Sequence, residues 1–318
     1  MDKLLSIVIV NYRTSVLLSS LLSGLRGEIK GLSSEILVID NSCSLQEKAL
    51  LKRLRASYPE VRFVLSRYNR GFAGACNLGT RLSKGRYLLF MNADVVPLKG
   101  SVESLLKCAM QVGAHAVAPL LYLNARASVL HPPFLPVGFL HRALKLISNR
   151  AYLAWWKRYS LRLWHSKKPV RVRYLTGAVF MLEKKLANMD ESYPLYFEDA
   201  DLFERLKALG AKVFLCPESR MIHYYDLSPS AAKGFLWKIS EDVFLRKHFS
   251  GWQRGILKFL ERLRSTWEIE GKIPLGAMGV KNTPVYVSPN RDFIPFAYGV
   301  VDADFVRRFS TAYATFEL

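Results

Sequence analysis

SIVIVNYRTSVLLSSLLSGL, residues 6–25, changes its period halfway through. The first part, SIVIVNY (6–12), is an unbroken β-branched run that ends in a polar pair. Such a run fits a strand with both faces buried. The second part, from Thr14, carries leucines at helical spacing and a glycine near its end. Strand followed at once by helix is the opening unit of an α/β sheet.

The pattern repeats downstream. EILVIDNS (35–42) reads as a second buried strand and VRFVLSR (61–67) as a third. GFAGACNLGTRLSKG (71–85) reads as a Gly-rich turn and a helix that stops at Gly85. RYLLFMNADVVP (86–97) reads as a strand that runs into Asn92, Asp94 and Pro97. Alternation of this kind predicts a mostly parallel sheet with right-handed crossovers. Ligands of such sheets sit beyond the carboxyl ends of the strands. Three of those ends are polar here: Asn11 and Tyr12, Asp40 and Asn41, Asn92 and Asp94.

Farther along, YLTGAVFML (174–182) and KVFLCP (212–217) read as further strands, with a helix ending at Gly210 between them. Residues 229–268 are helix-rich. From about residue 271 the composition shifts to Gly, Pro, Tyr and Val, which suggests a β-rich or loosely packed extension. Residues 142–173 hold ten Lys and Arg, three Trp and no Asp or Glu. That segment is either a solvated basic helix or an interfacial element with Trp at the headgroup boundary.

Of 318 residues, half are hydrophobic, enough for a large core. Forty-six Lys and Arg against 26 Asp and Glu give a formal charge of +20, which calls for an anionic partner: nucleic acid, anionic lipid or a phosphorylated substrate. Cys43, Cys76, Cys108 and Cys216 show no C-x-x-C spacing. This speaks against a zinc site or a disulfide framework and for a reducing compartment. MDKLLSIVIVNYR suits a first strand better than a signal peptide. No apolar run reaches the roughly 18 residues of a membrane span. The expected location is the cytoplasm, with a peripheral position on the inner face of the cytoplasmic membrane as the further expectation.

No G-x-G-x-x-G, P-loop, H-E-x-x-H or G-x-S-x-G occurs. Asp94, at a strand end, could ligate Mg2+ or Mn2+ beside substrate phosphates, or simply close an Asx turn. The same choice holds for Asp40, which could accept hydrogen bonds from a nucleobase or ribose. His223 is a lone histidine after a strand, and only proximity to Asp94 would make it a ligand. LYFEDADLFERL (195–206) concentrates Glu198, Asp199, Asp201 and Glu204 in an otherwise basic chain.

Taken in order, SIVIVNYR, ILVIDNSCS, NRGFAGACNLGTRLSKGRYLLFMNADV, YLTGAVFMLEKK and DESYPLYFEDADLFERLKALGAKVFLCPESRMIHYYDLS resemble the family 2 inverting glycosyltransferases, in their rhamnosyltransferase-like bacterial branch. The resemblance spans about residues 6–228. It implies a GT-A fold and the transfer of a sugar from a nucleoside-diphosphate donor, such as dTDP-rhamnose, to a glycan or lipid-linked acceptor. It implies a catalytic domain over 1–228, with a nucleotide half at about 1–97 and an acceptor half at about 98–228. A helical segment at 229–270 and an extension of unassigned role at 271–318 follow.

By position, the resemblance puts the nucleotide on Asn11, Tyr12, Asp40, Asn69, Arg70, Gly71 and Phe72. Asn92 stands at the first carboxylate of the family's D-x-D-type motif, which leaves Asp94 as metal ligand with His223 completing the site. Thr176, Gly177 and Ala178 would line the sugar and acceptor pocket. The cofactor implied is Mg2+ or Mn2+.

Helical geometry then sorts the acidic cluster. A helix starting near Glu198 places Asp199 on one face with Leu202, Leu206 and Leu209, facing inward. Asp201 can pair with Arg205, and Glu204 lies on the solvent side. Asp199 is therefore the expected general base, with Glu198 as orienting partner or alternative base, and Tyr196 and Phe197 as its shield from water. This matches the position of the base in the resembled family. Two rival readings are a basic nucleic-acid-binding protein and a nucleotidyltransferase on a similar sheet.

Overall fold

The computed structural model describes residues 3–124, 127, 131, 137–224 and 233–270. The extension at 271–318 lies outside the described residues. The chain opens β1 (Lys3–Asn11), α1 (Ser15–Glu28), β2 (Ser34–Asp40), α2 (Leu45–Ser57), β3 (Val61–Leu65), α3 (Gly71–Leu82) and β4 (Gly85–Asn92). It continues through β5 (Val95–Pro97), α4 (Ser101–Gln111) and β6 (Ala116–Tyr122) to α5 (Phe139–Ile147) and α6 (Asn149–Trp164). Then come β7 (Val170–Arg171), β8 (Val179–Glu183), α7 (Glu198–Ala208), β9 (Val213–His223), α8 (Lys233–His248) and α9 (Gly251–Glu270).

One nine-stranded sheet runs in the order β3-β2-β1-β4-β8-β6-β9-β5, with β7 on β9. The first half is parallel as expected: β1 pairs with β2 and β4, and β2 with β3. The second half departs from a mostly parallel reading. There β8 is antiparallel to both β4 and β6, and β9 is antiparallel to β5 and β7 but parallel to β6.

Both faces of the sheet are covered, which is why the strand at 6–12 shows no polar alternation. Ile7 and Ile9 of β1 pack with Leu18 and Leu21 of α1, Leu51 of α2 and Leu105 of α4. Val8 points the other way, into a core with Ala75 of α3, Trp156 of α6, Phe203 of α7 and Phe244 of α8. Two glycines set the spacing around β1. A Cβ on Gly79 would lie 2.3 Å from Val8 Cγ1, and one on Gly85 would lie 2.4 Å from the Ser6 backbone nitrogen.

Cys108 of α4 and Cys216 of β9 form a disulfide across 108 residues of chain. This corrects the expectation of no disulfide. Helix α4 packs on β9, and the two cysteines meet in one buried layer between them, a proximity that local spacing does not register. The cysteine argument for a reducing compartment falls with it. No helix among the described residues is long and apolar enough to cross a membrane.

Because the Gly85 Cβ would meet backbone rather than a movable side chain, Gly85→Ala should destabilise the protein by roughly 1–3 kcal/mol. Gly27 in α1, with open space around it, should tolerate Ala with no loss. Thermal melts of the two variants beside the parent check both; equal melting of Gly85→Ala and parent would refute the packing argument.

Candidate active site

At the carboxyl end of β1, Asn11 is fully buried and its amide gathers the neighbouring strand and helix. Its Nδ2 donates to Asp40 Oδ1 at 2.8 Å and to Ser15 Oγ at 3.0 Å. Thr14 Oγ1 donates to Asn11 Oδ1 at 2.9 Å. Glu47 joins this network from α2, accepting from the Ser15 hydroxyl at 2.5 Å and the Ser15 backbone N–H at 3.2 Å. Asp40 is buried at the end of β2, and its Oδ2 has no hydrogen-bond partner. A buried carboxylate oxygen left unpaired is costly, and a ligand that donates to it removes that cost.

The turn into α3 is built on Asn41, which the sequence showed only as one of the polar strand ends. Its side chain donates to Asn69 Oδ1 and Gly71 O and accepts from the Arg70 N–H, at 2.9, 2.8 and 3.0 Å. Gly71 has φ +68°, where a side chain would be strained. Phe72 is half-buried against the core. Arg70 lies over the Tyr68 ring. Thus Asn11, Asp40, Asn69, Arg70, Gly71 and Phe72 all belong to one edge of the sheet. Tyr12 is half-buried beside Arg13, whose guanidinium lies 5.6 Å from its ring centroid.

Asp94 and His223 come together. Antiparallel pairing of β5 with β9 sets Val95 opposite His223, and the Tyr224 N–H donates to Asp94 O at 3.0 Å. Both side chains are buried, and His223 Nε2 lies 3.3 Å from Asp94 Oδ1. The His131 ring sits 5.0 Å from that of His223; the sequence offered no signal for it. Among the described residues no group of three or more His, Cys, Asp or Glu converges as a metal cage.

The acidic helix connects to this edge through backbone. Asn92 N–H donates to Ala178 O at 2.9 Å. One residue earlier, Gly177 N–H donates to Asp199 Oδ2 at 2.7 Å, and Ala200 N–H donates to Asp199 Oδ1 at 2.8 Å. A Cβ on Gly177 would stand 3.0 Å from Asp199 Oδ2, so glycine permits this approach. Thr176 Oγ1 accepts from Ala178 N–H at 3.4 Å.

Helix α7 begins at Glu198, as expected, after Tyr196 and Phe197 in the left-handed region at φ +72° and +66°. Two adjacent strained non-glycine residues are held by their surroundings. Phe197 packs on Trp237 and Phe244 of α8, and Ser240 Oγ donates to Leu195 O at 2.7 Å.

The four carboxylates separate sharply. Asp201 is buried, bonded to Arg205, His248 and the Tyr193 hydroxyl. Burial pushes its pKa up, but the bonds from His248 and Arg205 outweigh this and hold it below the usual range. Glu204 is not on the solvent side; Arg173 and Tyr174, brought in beside β7, bind it. Leu209 is exposed instead of continuing the buried stripe, because α7 ends at Ala208. Asp199 is half-buried, and burial raises its pKa against the pull of the Ala200 and Gly177 N–H groups. Glu198 is buried with Oε2 unpaired; burial first, then the Asp199 charge, pushes it up to about 8.

The sequence model of glycosyl transferase family 2 matches residues 6–176. This chain belongs to that family. It is 26% identical over 303 residues to an N-acetylglucosaminyl-diphospho-decaprenol L-rhamnosyltransferase of Mycobacterium tuberculosis, covering 86% of this chain and 92% of that one. It is 23% identical over 227 residues to a low-salt glycan biosynthesis hexosyltransferase of Haloferax volcanii, covering 69% of this chain and 66% of that one. Among solved structures it is similar to the mannosyltransferase PcManGT of Pyrobaculum calidifontis with GDP-Man and Mn2+ (TM-score 0.51, 11% identity, 86% and 77% of the two chains). It is also similar to GalNAc-T7 with UDP, GalNAc and Mn2+ (TM-score 0.52, 16% identity), covering 71% of this chain and 44% of that one. The fold is GT-A, and the protein is a glycosyltransferase of glycan biosynthesis. The nucleic-acid-binding alternative finds no support.

The raised Glu198 pKa has a defined consequence for stability. The unfolded carboxyl ionises near the ordinary value of 4.5, whereas the folded one keeps its proton to about 8. The unfolded state therefore binds fewer protons in that window, and stability should fall as pH rises from about 4.5 to about 8. Glu198→Gln should flatten this slope and melt higher than the parent at pH 8. Parallel melting curves for the two proteins across that range would rule the assignment out.

Proposed function

We propose that the protein is an inverting hexosyltransferase that uses a nucleoside-diphosphate sugar, of which dTDP-rhamnose is the favoured candidate, and a lipid-linked glycan acceptor. The observation that carries the reading is the Asp199 carboxylate. It is pinned by two backbone N–H groups at the sheet edge and bound through Gly177 and Ala178 to the strand that presents Asn92 and Asp94. Similarity over most of the chain to a rhamnosyltransferase whose name specifies a diphospho-decaprenol acceptor supports the choice of donor and acceptor.

Residues 1–97 bind the donor in this reading, and residues 98–228 the acceptor. The nucleotide is held by Asn11, Tyr12, Asp40, Asn69, Arg70, Gly71 and Phe72. The unpaired Oδ2 of Asp40 accepts from the base or ribose. Asp94 and His223 would hold Mg2+ or Mn2+: a carboxylate and an imidazole suit such a cation when substrate oxygens and water complete its coordination. When bound, the cation supplies positive charge for the departing diphosphate.

Asp199 takes the proton from the acceptor hydroxyl as that oxygen bonds to the anomeric carbon. The bond from that carbon to the diphosphate breaks on the opposite face, releasing the nucleoside diphosphate and inverting the anomer. Two N–H bonds fix the carboxylate's direction, and its raised pKa strengthens it as a base. Glu198 stands beside it as a partner, its pKa raised by burial and then by the Asp199 charge. Thr176, Gly177 and Ala178 floor the sugar subsite. A cytoplasmic location is part of this proposal, since nucleotide sugars are its substrate.

Asp199→Asn keeps the shape and removes the basicity. It should lower kcat by at least about 100-fold with donor affinity retained. Nucleoside diphosphate release from a panel of nucleotide sugars, with the product anomer read by NMR, gives donor and stereochemistry together. Near-parent turnover by Asp199→Asn, or a retained anomer, would defeat the assignment.

Asp94→Ala should weaken both Mn2+ and donor binding in calorimetry, beyond any loss of turnover. Unchanged Mn2+ affinity in Asp94→Ala, or full activity in EDTA, would remove the metal from Asp94.

A further inference from the structure

Helix α9 has two apolar faces. Leu257 is buried and seats the helix on the domain. On another face Trp252, Ile256 and Phe259, at offsets of four and seven, form a stripe that the core does not use. Trp252 is 63% exposed and Phe259 60%. Helix α5 packs against α9, with Phe139 centred 5.4 Å from the Trp252 ring. It exposes Leu140 at 76% and Ile147 at 69%, seven residues apart and so on one face. Contiguous exposed apolar surface of this kind marks a contact site.

The charge around it has one sign. Residues 139–164, which form α5 and α6, hold six Lys or Arg and no Asp or Glu. Residues 251–264 of α9 hold four against one Glu. Of the α6 tryptophans that an interfacial reading puts at the headgroup boundary, Trp155 and Trp164 are half-buried against the core. Trp156 is fully buried, stacked on Tyr159. The cationic part of the 142–173 segment therefore borders an apolar ridge supplied by α5 and α9.

We propose that α5 and α9 dock on an anionic lipid bilayer surface, with Trp252, Ile256, Phe259, Leu140 and Ile147 entering the headgroup–acyl boundary and Lys145 of α5 with the Lys and Arg of α6 and α9 meeting the headgroups. Cationic charge flanking a narrow apolar stripe is the composition that binds in the plane of a membrane without crossing it. The layer is joined to the catalytic turn. Arg142 of α5 pairs with Glu241 of α8 and lies over the Phe197 ring, and α8 clamps residues 195–197. A lipid-bound acceptor would thus be met beside Asp199. The docking itself assumes nothing about the reaction.

The test is flotation of the full chain with vesicles of phosphatidylcholine, alone or mixed equally with phosphatidylglycerol, with neither sugar donor nor acceptor present. The protein should float with the mixed vesicles at least about tenfold more than with phosphatidylcholine, and should release as NaCl rises from about 0.05 to about 0.5 M. Ile256→Glu with Phe259→Glu should lose roughly tenfold in binding while melting as the parent does. Val16→Glu with Met110→Glu, exposed sites on α1 and α4, should bind as the parent does. Equal binding to both vesicles, or full binding by the α9 variant, overturns the proposal. So does a parent that stays off vesicles, whether as a dimer that Ile256→Glu with Phe259→Glu dissociates or as a monomer whose ridge residues 271–318 cover.

Discussion

The hydrogen bond from Gly177 N–H to the Asp199 carboxylate joins the central sheet to helix α7. On one side of it lies the sheet, where Ala178 receives the Asn92 N–H and so fixes the strand end that carries Asp94. On the other lies α7, whose first residues follow two left-handed positions with no glycine to ease them. That strain of order 1–3 kcal/mol per residue persists only where packing over-determines it. Here α8 supplies the packing, through Trp237, Phe244 and the Ser240 hydroxyl. The carboxylate is thus positioned from both ends before any ligand arrives.

Two carboxylates three positions apart in LYFEDADLFERL have opposite environments. Asp201 is surrounded by donors and remains charged, holding α7 to Arg205 and His248. Glu198 is buried and Asp199 half-buried, with backbone N–H groups and each other for company, and both are raised. Environments that push neighbouring carboxyls apart separate a structural ion pair from a group available for proton transfer.

What the sequence disclosed follows what is local. The doubly buried strands at 6–12, 35–42 and 86–97 were legible because a parallel sheet covered on both faces leaves only its carboxyl ends polar, and Asn11, Asp40 and Asp94 stand there. The start of α7 and the Asp201–Arg205 pair followed from helical spacing. What escaped depends on pairing across long separations. The antiparallel β5–β9 register brings His223 to Asp94, which the family resemblance implied and spacing alone did not, and α4 on β9 brings Cys108 to Cys216. Glu204 was misread because Arg173 and Tyr174 reach it from 30 residues away. Leu209 was misread because the helix stops at Ala208, with Gly210 at φ +71°. Ser44 and Glu47 carry the S-x-x-E spacing of a capping box, and Ser44 does cap α2. The Glu47 carboxylate instead turns to Ser15 and Asn11, toward the nucleotide edge.

The distribution of charge resolves the apparent conflict between a chain of +20 and an acidic motif at its centre. The acidic groups lie inside, each held by a specific donor or by burial, where a low dielectric makes a single carboxylate count. The basic groups lie mainly outside, and those of α5 and α6 form a stretch with no acidic residue at all. Helix α8 stands between the two regions, holding the turn at 195–197 with Trp237 and Phe244 and the basic layer through Glu241. The basic layer is thereby fixed at one helix's remove from the Asp199 carboxylate, so in the proposed reading the same rigid element that orients the base also sets its height above whatever that layer rests on.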